Sequence, residues 1–384
     1  MESEVRKKRM QQYFEEITDK RSPWKIKHKM TEIIVMTICA VTGGCDSWEV
    51  IEDFCKVKET WFREQMNLTL ANGIPSHDTF ERVFGMIEPA EFEKNFIKWV
   101  REISQKTDGE VVSIDGKTLC GSKSGTRSAI HMVSAWANNN QMVLGQLATE
   151  EKSNEITAVP ELLNLLDVKG CTVTADAMSC QKEIVAKITE KQADYAIALK
   201  ENQPNLRKDA EDYFLAALSD KNQLLFSKPQ ITRTLEKGHG RIETRQYYLT
   251  TDISWLSQLK EWKNLNSLGM VKSKTECNGV ISEDVRYYIS SLTDVSLFAK
   301  AVRAHWGIEN SLHWCLDVVF DEDHIRMRKD HSAENMAVVR HIVLNILKNF
   351  PTPKKMSLSR KRQKCEYDFD FLKSVLLFAA NFHA

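Results

Sequence analysis

Glu110-Val-Val-Ser-Ile-Asp-Gly-Lys117 and Cys171-Thr-Val-Thr-Ala-Asp-Ala177 decide how this chain is read. Each is an apolar, β-branched run that stops at an aspartate, the pattern of a strand whose end carries Asp115 or Asp176. A third acid, Glu309, sits in His305-Trp-Gly-Ile-Glu-Asn310, within a helix-like stretch. A lone Asp after a strand commonly caps a turn; the combination argues for more. Two carboxylates at strand ends and one on a late helix can converge on two divalent cations. Paired cations stabilise the entering and leaving oxygens of an in-line attack on a phosphodiester. Carboxylate ligands with open water positions favour Mg²⁺, with Mn²⁺ as a substitute, over zinc.

The order of elements around these runs predicts the fold. Val111–Asp115 is a first strand, and 129–137 and 141–148 form a hairpin around Asn138-Asn-Asn140. A helix over 156–166, a strand over 172–175, a helix over 180–190 and a strand over 195–199 follow. This is the order of an α/β, ribonuclease-H-like core with a mixed sheet. A dinucleotide fold would open with a strand, a Gly-rich turn and a helix, and the chain has no such fingerprint and no Walker motif. Residues 1–105 read as a helical domain, 106–200 as the first part of the core and 201–294 as a mainly β insertion. Residues 295–350 bring the core back with the Glu309 helix, and 351–384 form a basic and amphipathic tail. Ser76 is expected to cap the helix that carries Phe80, Val83 and Phe84.

Lys plus Arg and Asp plus Glu number 53 each, so the formal net charge is zero and no polyanion binder is announced. The basic residues are clustered, however, at 6–9, 20–29, 326–329 and 354–364, which allows a basic face; the last cluster is the densest. Nine cysteines without a Cys-x-x-Cys pair read as free thiols of a reducing compartment. No apolar run reaches membrane-spanning length and the N-terminus lacks a signal-peptide core, so a cytoplasmic protein without membrane contact is expected.

Several residues near the acids are candidates for phosphate contact. Lys117 and Lys200 follow the first and last core strands, and His239, Arg241 and Arg245 stand together in Lys237-Gly-His-Gly-Arg-Ile-Glu-Thr-Arg245. His305, Glu309 and His313 recur at helical spacing on one face. A zinc stripe is one reading, but the spacing is not His-Glu-x-x-His and no cysteine cluster accompanies it. Trp306 and Trp314 are expected to pack in the core, and Asp317 to stand behind the acids or compete with them for metal.

The chain resembles the H-repeat-associated proteins of the ISAs group of insertion-sequence transposases, which have a DDE core. The resemblance runs over nearly the whole length and is carried by Gly73-Ile-Pro-Ser-His-Asp-Thr79, Ile114-Asp-Gly-Lys-Thr118, Glu151-Lys-Ser-Asn-Glu-Ile-Thr157, Thr174-Ala-Asp-Ala-Met178, His239-Gly-Arg241 and His305-Trp-Gly-Ile-Glu-Asn-Ser-Leu-His-Trp314. It implies Asp115, Asp176 and Glu309 as the catalytic, metal-binding triad, with Mg²⁺ as cofactor. It also implies double-stranded DNA as partner, both the terminal repeats and the target, with a homo-oligomer assembled on it in the bacterial cytosol. A non-mobile nuclease with the same core and a catalytically silent DNA-binding relative are the alternatives. Related transposases with a β insertion carry Tyr, Arg, Glu and Lys around the last acid, where this chain has Val302, His305, Glu309 and Leu316. His305 is therefore expected to stand in for the arginine at a DNA phosphate, with a pKa raised by Glu309.

Overall fold

The structure, a computed structural model, describes residues 10–104, 109–125, 128–149, 154–219, 227–238 and 240–380. The expected basic cluster at 6–9 lies outside them.

The chain opens with six helices: α1 (Met10–Tyr13), α2 (Met30–Thr42), α3 (Trp48–Val57), α4 (Glu59–Gln65), α5 (His77–Met86) and α6 (Pro89–Ile103). Helix α2 is apolar on all sides, and all but one of its thirteen residues are buried, which makes it the centre of this layer. Ser47 caps α3 by accepting from the Val50 amide, and Pro89 starts α6 at a position where its missing N–H is not needed. Ser76 precedes α5 as expected, but its hydroxyl meets Thr79 Oγ1 at 3.2 Å instead of a helix amide. The hydroxyl–hydroxyl contact replaces the predicted cap.

Five strands and two helices then form the core: β1 (Val111–Leu119), β2 (Ile130–Ala137), β3 (Met142–Thr149), α7 (Glu155–Leu165), β4 (Thr172–Ala175), α8 (Lys182–Glu190) and β5 (Asp194–Leu199). Their order in space is β3-β2-β1-β4-β5. Strands β1, β4 and β5 are parallel and the β2–β3 hairpin runs antiparallel, the arrangement of a ribonuclease-H-like sheet. After α9 (Pro204–Ala217) come four long strands, β6 (Gln230–Gly238), β7 (Arg241–Thr250), β8 (Ser267–Cys277) and β9 (Val280–Ser290). The inserted strands do not form a sheet of their own. β9 pairs antiparallel with β5, so the core and the insertion share one nine-stranded sheet.

Helix α10 (Val295–Ile308) returns across one face of this sheet and is continued through a wide π turn, Glu309–His313, into α11 (Trp314–Val318). Asp294 caps α10 through the amides of Ser296 and Leu297. Two close approaches seat the helix. The Phe298 ring lies on Gly269 of β8, where an added Cβ would stand 2.2 Å from the ring, and Gly307 abuts Asn138 Oδ1 at the same hypothetical distance. Neither position has room for a side chain.

Helix α12 (Ser332–Asn349) is buried along most of its length and joins the two halves of the molecule. Its Asn335 donates to the carbonyls of Phe84 and Ile87 at the end of α5, and its Asn345 pairs with both backbone groups of Val143 on the edge strand β3. The last two helices are α13 (Leu358–Tyr367) and α14 (Phe369–Ala380). The dense basic stretch at 354–364 is partly internal. Lys361 donates to the carbonyls of Leu347 and Phe350 at the end of α12, and Arg362 reaches Asp46 and the Val319 carbonyl. These two cations close the fold, and the exposed Lys354, Lys355 and Arg360 are what the stretch offers to solvent.

Candidate active site

Alternation along β1 turns Ser113, Asp115 and Lys117 to the face covered by α10 to α12, and Val112 and Ile114 to the opposite apolar face. The parallel register pairs Ser113 with Thr174 and Ile114 with Ala175. One step further along that register brings Asp115 and Asp176 to neighbouring strands on the α10 face. Asp176 also accepts from the Ser179 amide, which folds the chain away from the end of β4 and leaves that end open. Glu309 arrives from the opposite side, at the junction of α10 with the π turn. All three acids line one cleft of about 630 Å³, together with Lys200, Arg207, Arg286, His305 and Trp306.

The acids are not equally placed. Donor atoms of Asp115, Glu309 and His313 all lie within 4.8 Å of one another, and among the described residues this is the one such gathering of His, Cys, Asp or Glu. Asp176 is not in it. Burial pushes the Asp115 carboxyl upward; the His313 ring opposes this and the Glu309 charge adds to it. Glu309 moves the other way: the adjacent His313 ring holds it below the usual carboxylate range, against its partial burial. The Asp176 carboxyl is raised by burial, against the Ser179 amide. The two acids also share a side-chain hydrogen bond, so one carboxyl of the pair is held up while the other is held down. The donor chemistry, mostly oxygen with one imidazole, suits a hard divalent cation such as Mg²⁺ or Mn²⁺.

His313 is the residue that the sequence argument did not carry to the acids. It was visible in the His305-Glu309-His313 stripe, one turn beyond Glu309. His305, the member expected to touch DNA as a cation, is different again. Its Nδ1 contacts Thr174 Oγ1 at 3.2 Å, and burial lowers its pKa to about 4 despite the Glu309 charge. In this state the ring is neutral, so the expected rise is reversed because desolvation outweighs one half-exposed carboxylate. Zinc is not favoured by this geometry, since His305 turns to Thr174 and only His313 joins the acids.

Other expected contacts separate clearly. Lys117 does not face the cleft as a free point charge. Its Nζ is 2.7 Å from Asp317, 3.1 Å from Asp323 and 3.3 Å from Glu322, and these carboxylates raise its pKa against burial. Asp317 accordingly belongs to Lys117 and not to the acid cluster. Lys200 is exposed at the cleft. Arg245 is folded back onto Glu243 and Glu236, while Arg241 is exposed in an adjoining cavity of about 430 Å³ that shares Arg286 and Trp306 with the cleft. His239 lies outside the described residues. Trp306 and Trp314, expected in the core, are 39% and 54% exposed, and the Arg286 guanidinium sits 4.9 Å from the Trp306 ring centroid. No helix among the described residues is long and apolar enough to cross a membrane.

Comparison with known proteins is consistent along the whole chain. Residues 106–346 match the family described as the transposase DDE domain, and residues 11–100 match the associated family that accompanies it. "Putative transposase YncI" of Escherichia coli O157:H7 is 43% identical over 371 residues, covering 95% of this chain and 93% of that protein. The "H repeat-associated putative transposase YhhI" of Escherichia coli K12 is 42% identical over 381 residues, covering 96% of this chain and 98% of that one. Among solved structures, a piggyBac transposase synaptic complex with hairpin DNA aligns over 94% of this chain and 75% of its own, at 10% identity and a TM-score of 0.40, too low to carry an argument.

Proposed function

The chain belongs to the DDE transposases, among the H-repeat-associated relatives, and on that premise we propose that it cleaves DNA at insertion-sequence ends and joins them to a target, with divalent metal ions as cofactor. The observation that carries this is the convergence of Asp115, Asp176 and Glu309 on one cleft from two adjacent parallel strands and a crossing helix. In this reading Asp115, Asp176 and Glu309 would be the residues that hold the divalent ions. Divalent cations held there supply activation of the attacking oxygen, first water and then a DNA 3′-hydroxyl, and offset the charge on the leaving oxygen.

The chain's own groups then have separate tasks. Ser179 holds the Asp176 carboxylate by its amide, and in the metal-free site the His313 ring lowers the Glu309 carboxyl. Lys200, Arg207 and Arg286 line the same cleft and draw the phosphodiester backbone toward the acids. Arg241, in the adjoining cavity, extends this positive track along the inserted strands, while Arg303 of α10 is paired with Glu236.

The test is a plasmid cleavage and joining assay with the purified full chain, an element carrying its flanking ends, and Mg²⁺ or Mn²⁺. Cleavage at the element ends followed by joined products is the expected result. Cleavage without joining indicates a nuclease on the same core, and DNA binding without any cleavage indicates a silent relative.

A further inference from the structure

The Glu309–His313 turn sets a nitrogen donor beside two of the three carboxylates. We propose that His313 is a direct ligand, through Nδ1, of the divalent cation held between Asp115 and Glu309, and that this mixed nitrogen–oxygen site prefers Mn²⁺ to Mg²⁺. The proposal rests on the reading of Asp115 and Glu309 as metal ligands given above.

Three observations support it. First, His313 is 7% exposed, and its Nδ1 lies 3.4 Å from Glu309 Oε2 and 3.7 Å from Asp115 Oδ2. Such separations are long for hydrogen bonds, but they suit donors that each sit about 2.0–2.2 Å from one ion. Second, the opposite edge of the ring is arranged to keep that nitrogen in place. Nε2 is buried without a protein partner, and the residue borders a cavity of about 10 Å³, lined also by Lys117, Gln146, Glu322 and His341. Gln146 Oε1 and His341 Nδ1 are buried without partners as well. The cavity has about the size of one water molecule and the polar walls to hold it. An Nε2–H that donates on that side leaves the Nδ1 lone pair directed at Asp115 and Glu309, the usual way a ligating histidine is oriented from behind.

Third, Asp176 stands apart from this group and is engaged by the Ser179 amide. Without His313, an ion between Asp115 and Glu309 has two protein ligands; with it, three. Imidazole suits transition metals, whereas Mg²⁺ favours oxygen, so the third ligand shifts the preference toward Mn²⁺. His305, two turns earlier, is not among the donors gathered there.

The experiment uses the full-length protein with Mn²⁺ alone as probe, followed by pulsed electron paramagnetic resonance. The wild type is expected to show the ¹⁴N coupling of a directly bound imidazole, replaced by the ¹⁵N pattern when histidine is isotopically labelled. His305→Gln should retain the coupling. His313→Asn should lose it and bind Mn²⁺ about tenfold more weakly, with a smaller change for Mg²⁺. Because labelling uses the native chain, the result does not depend on whether the variant folds. Mn²⁺ bound at saturation without nitrogen coupling, or coupling that persists in a folded His313→Asn, overturns the proposal. If Mn²⁺ binds through oxygen alone while DNA cleavage still needs Asp115, only His313 is misassigned. If metal-dependent cleavage survives Asp115→Asn, the functional reading itself falls.

Discussion

Two charged clusters share one face of the sheet on either side of His313, and they handle charge in opposite ways. Toward α10, Asp115 and Glu309 face each other across a cleft, with His313 as the nearest nitrogen base. Two residues further along β1, Lys117 is enclosed by Asp317, Glu322 and Asp323, and Arg340 of α12 reaches Glu322 at 3.1 Å. The second cluster supplies its own counter-ions around a largely buried Lys117. The first leaves negative charge open to solvent and pushes Asp115 up and Glu309 down. A cluster whose buried carboxylate is met by the chain's own cations holds the fold together. One that the chain leaves unneutralised waits for a cation.

This contrast is open to direct attack. The largest effect is expected in the open cluster: Asp115→Asn, Asp176→Asn and Glu309→Gln should each lower DNA cleavage at least about 10³-fold, roughly 4 kcal/mol of barrier, with an unchanged circular dichroism spectrum. A variant that keeps full activity is not part of the triad. The closed cluster should behave the other way. Lys117→Met removes a buried cation and leaves its carboxylates facing one another, so stability should fall by about 3–5 kcal/mol in denaturant titration. If that variant is as stable as the wild type but inactive, Lys117 belongs to the chemistry and the distinction between the clusters fails.

A buried carboxyl without a counter-ion sharpens the point. Glu93 on α6 is fully buried, accepts from the Gln146 amide at 2.8 Å, and burial raises its pKa to about 8. The folded state therefore binds a proton that the unfolded chain releases near the ordinary glutamate pKa of 4.5. Stability from this group is fully present below that value and is lost as pH rises toward about 8. Glu93→Gln keeps the acceptor oxygen and should remove this slope, with a gain on the order of 1–2 kcal/mol at pH 8. An unchanged pH dependence of the melting temperature would show that Glu93 is not the group responsible. The smallest effect concerns DNA affinity. Binding should weaken steeply with salt despite the zero net charge, and Arg286→Ala should reduce the slope by about one counter-ion. A flat salt dependence would argue against backbone contact in the cleft.

What the sequence made legible follows from how local each feature is. Asp115 and Asp176 could be found because strand patterning and a turn mark them within seven residues. The five core strands could be ordered because their connections are short. Lys117 could not be placed, because its partners lie about 200 residues later and only α11 and α12 bring them in. The same holds for Lys361 and Arg362, which read as a surface cluster until α2 and α12 close around them. Pairing of β9 with β5 was also hidden, since nothing in either strand states whether an insertion extends a sheet or builds a new one. His305 and His313 look equivalent in a helical stripe. Thr174 on β4 and the acids on β1 and the π turn separate them, and that is tertiary information.

The most direct test of the central claim is strand cleavage by the purified full chain on DNA carrying the element's ends, with and without Mg²⁺, beside Asp115→Asn. The account predicts cuts at the ends that require the metal and vanish in the variant, while DNA binding persists in both proteins. Metal-independent cutting, or equal cutting by wild type and Asp115→Asn, would contradict it.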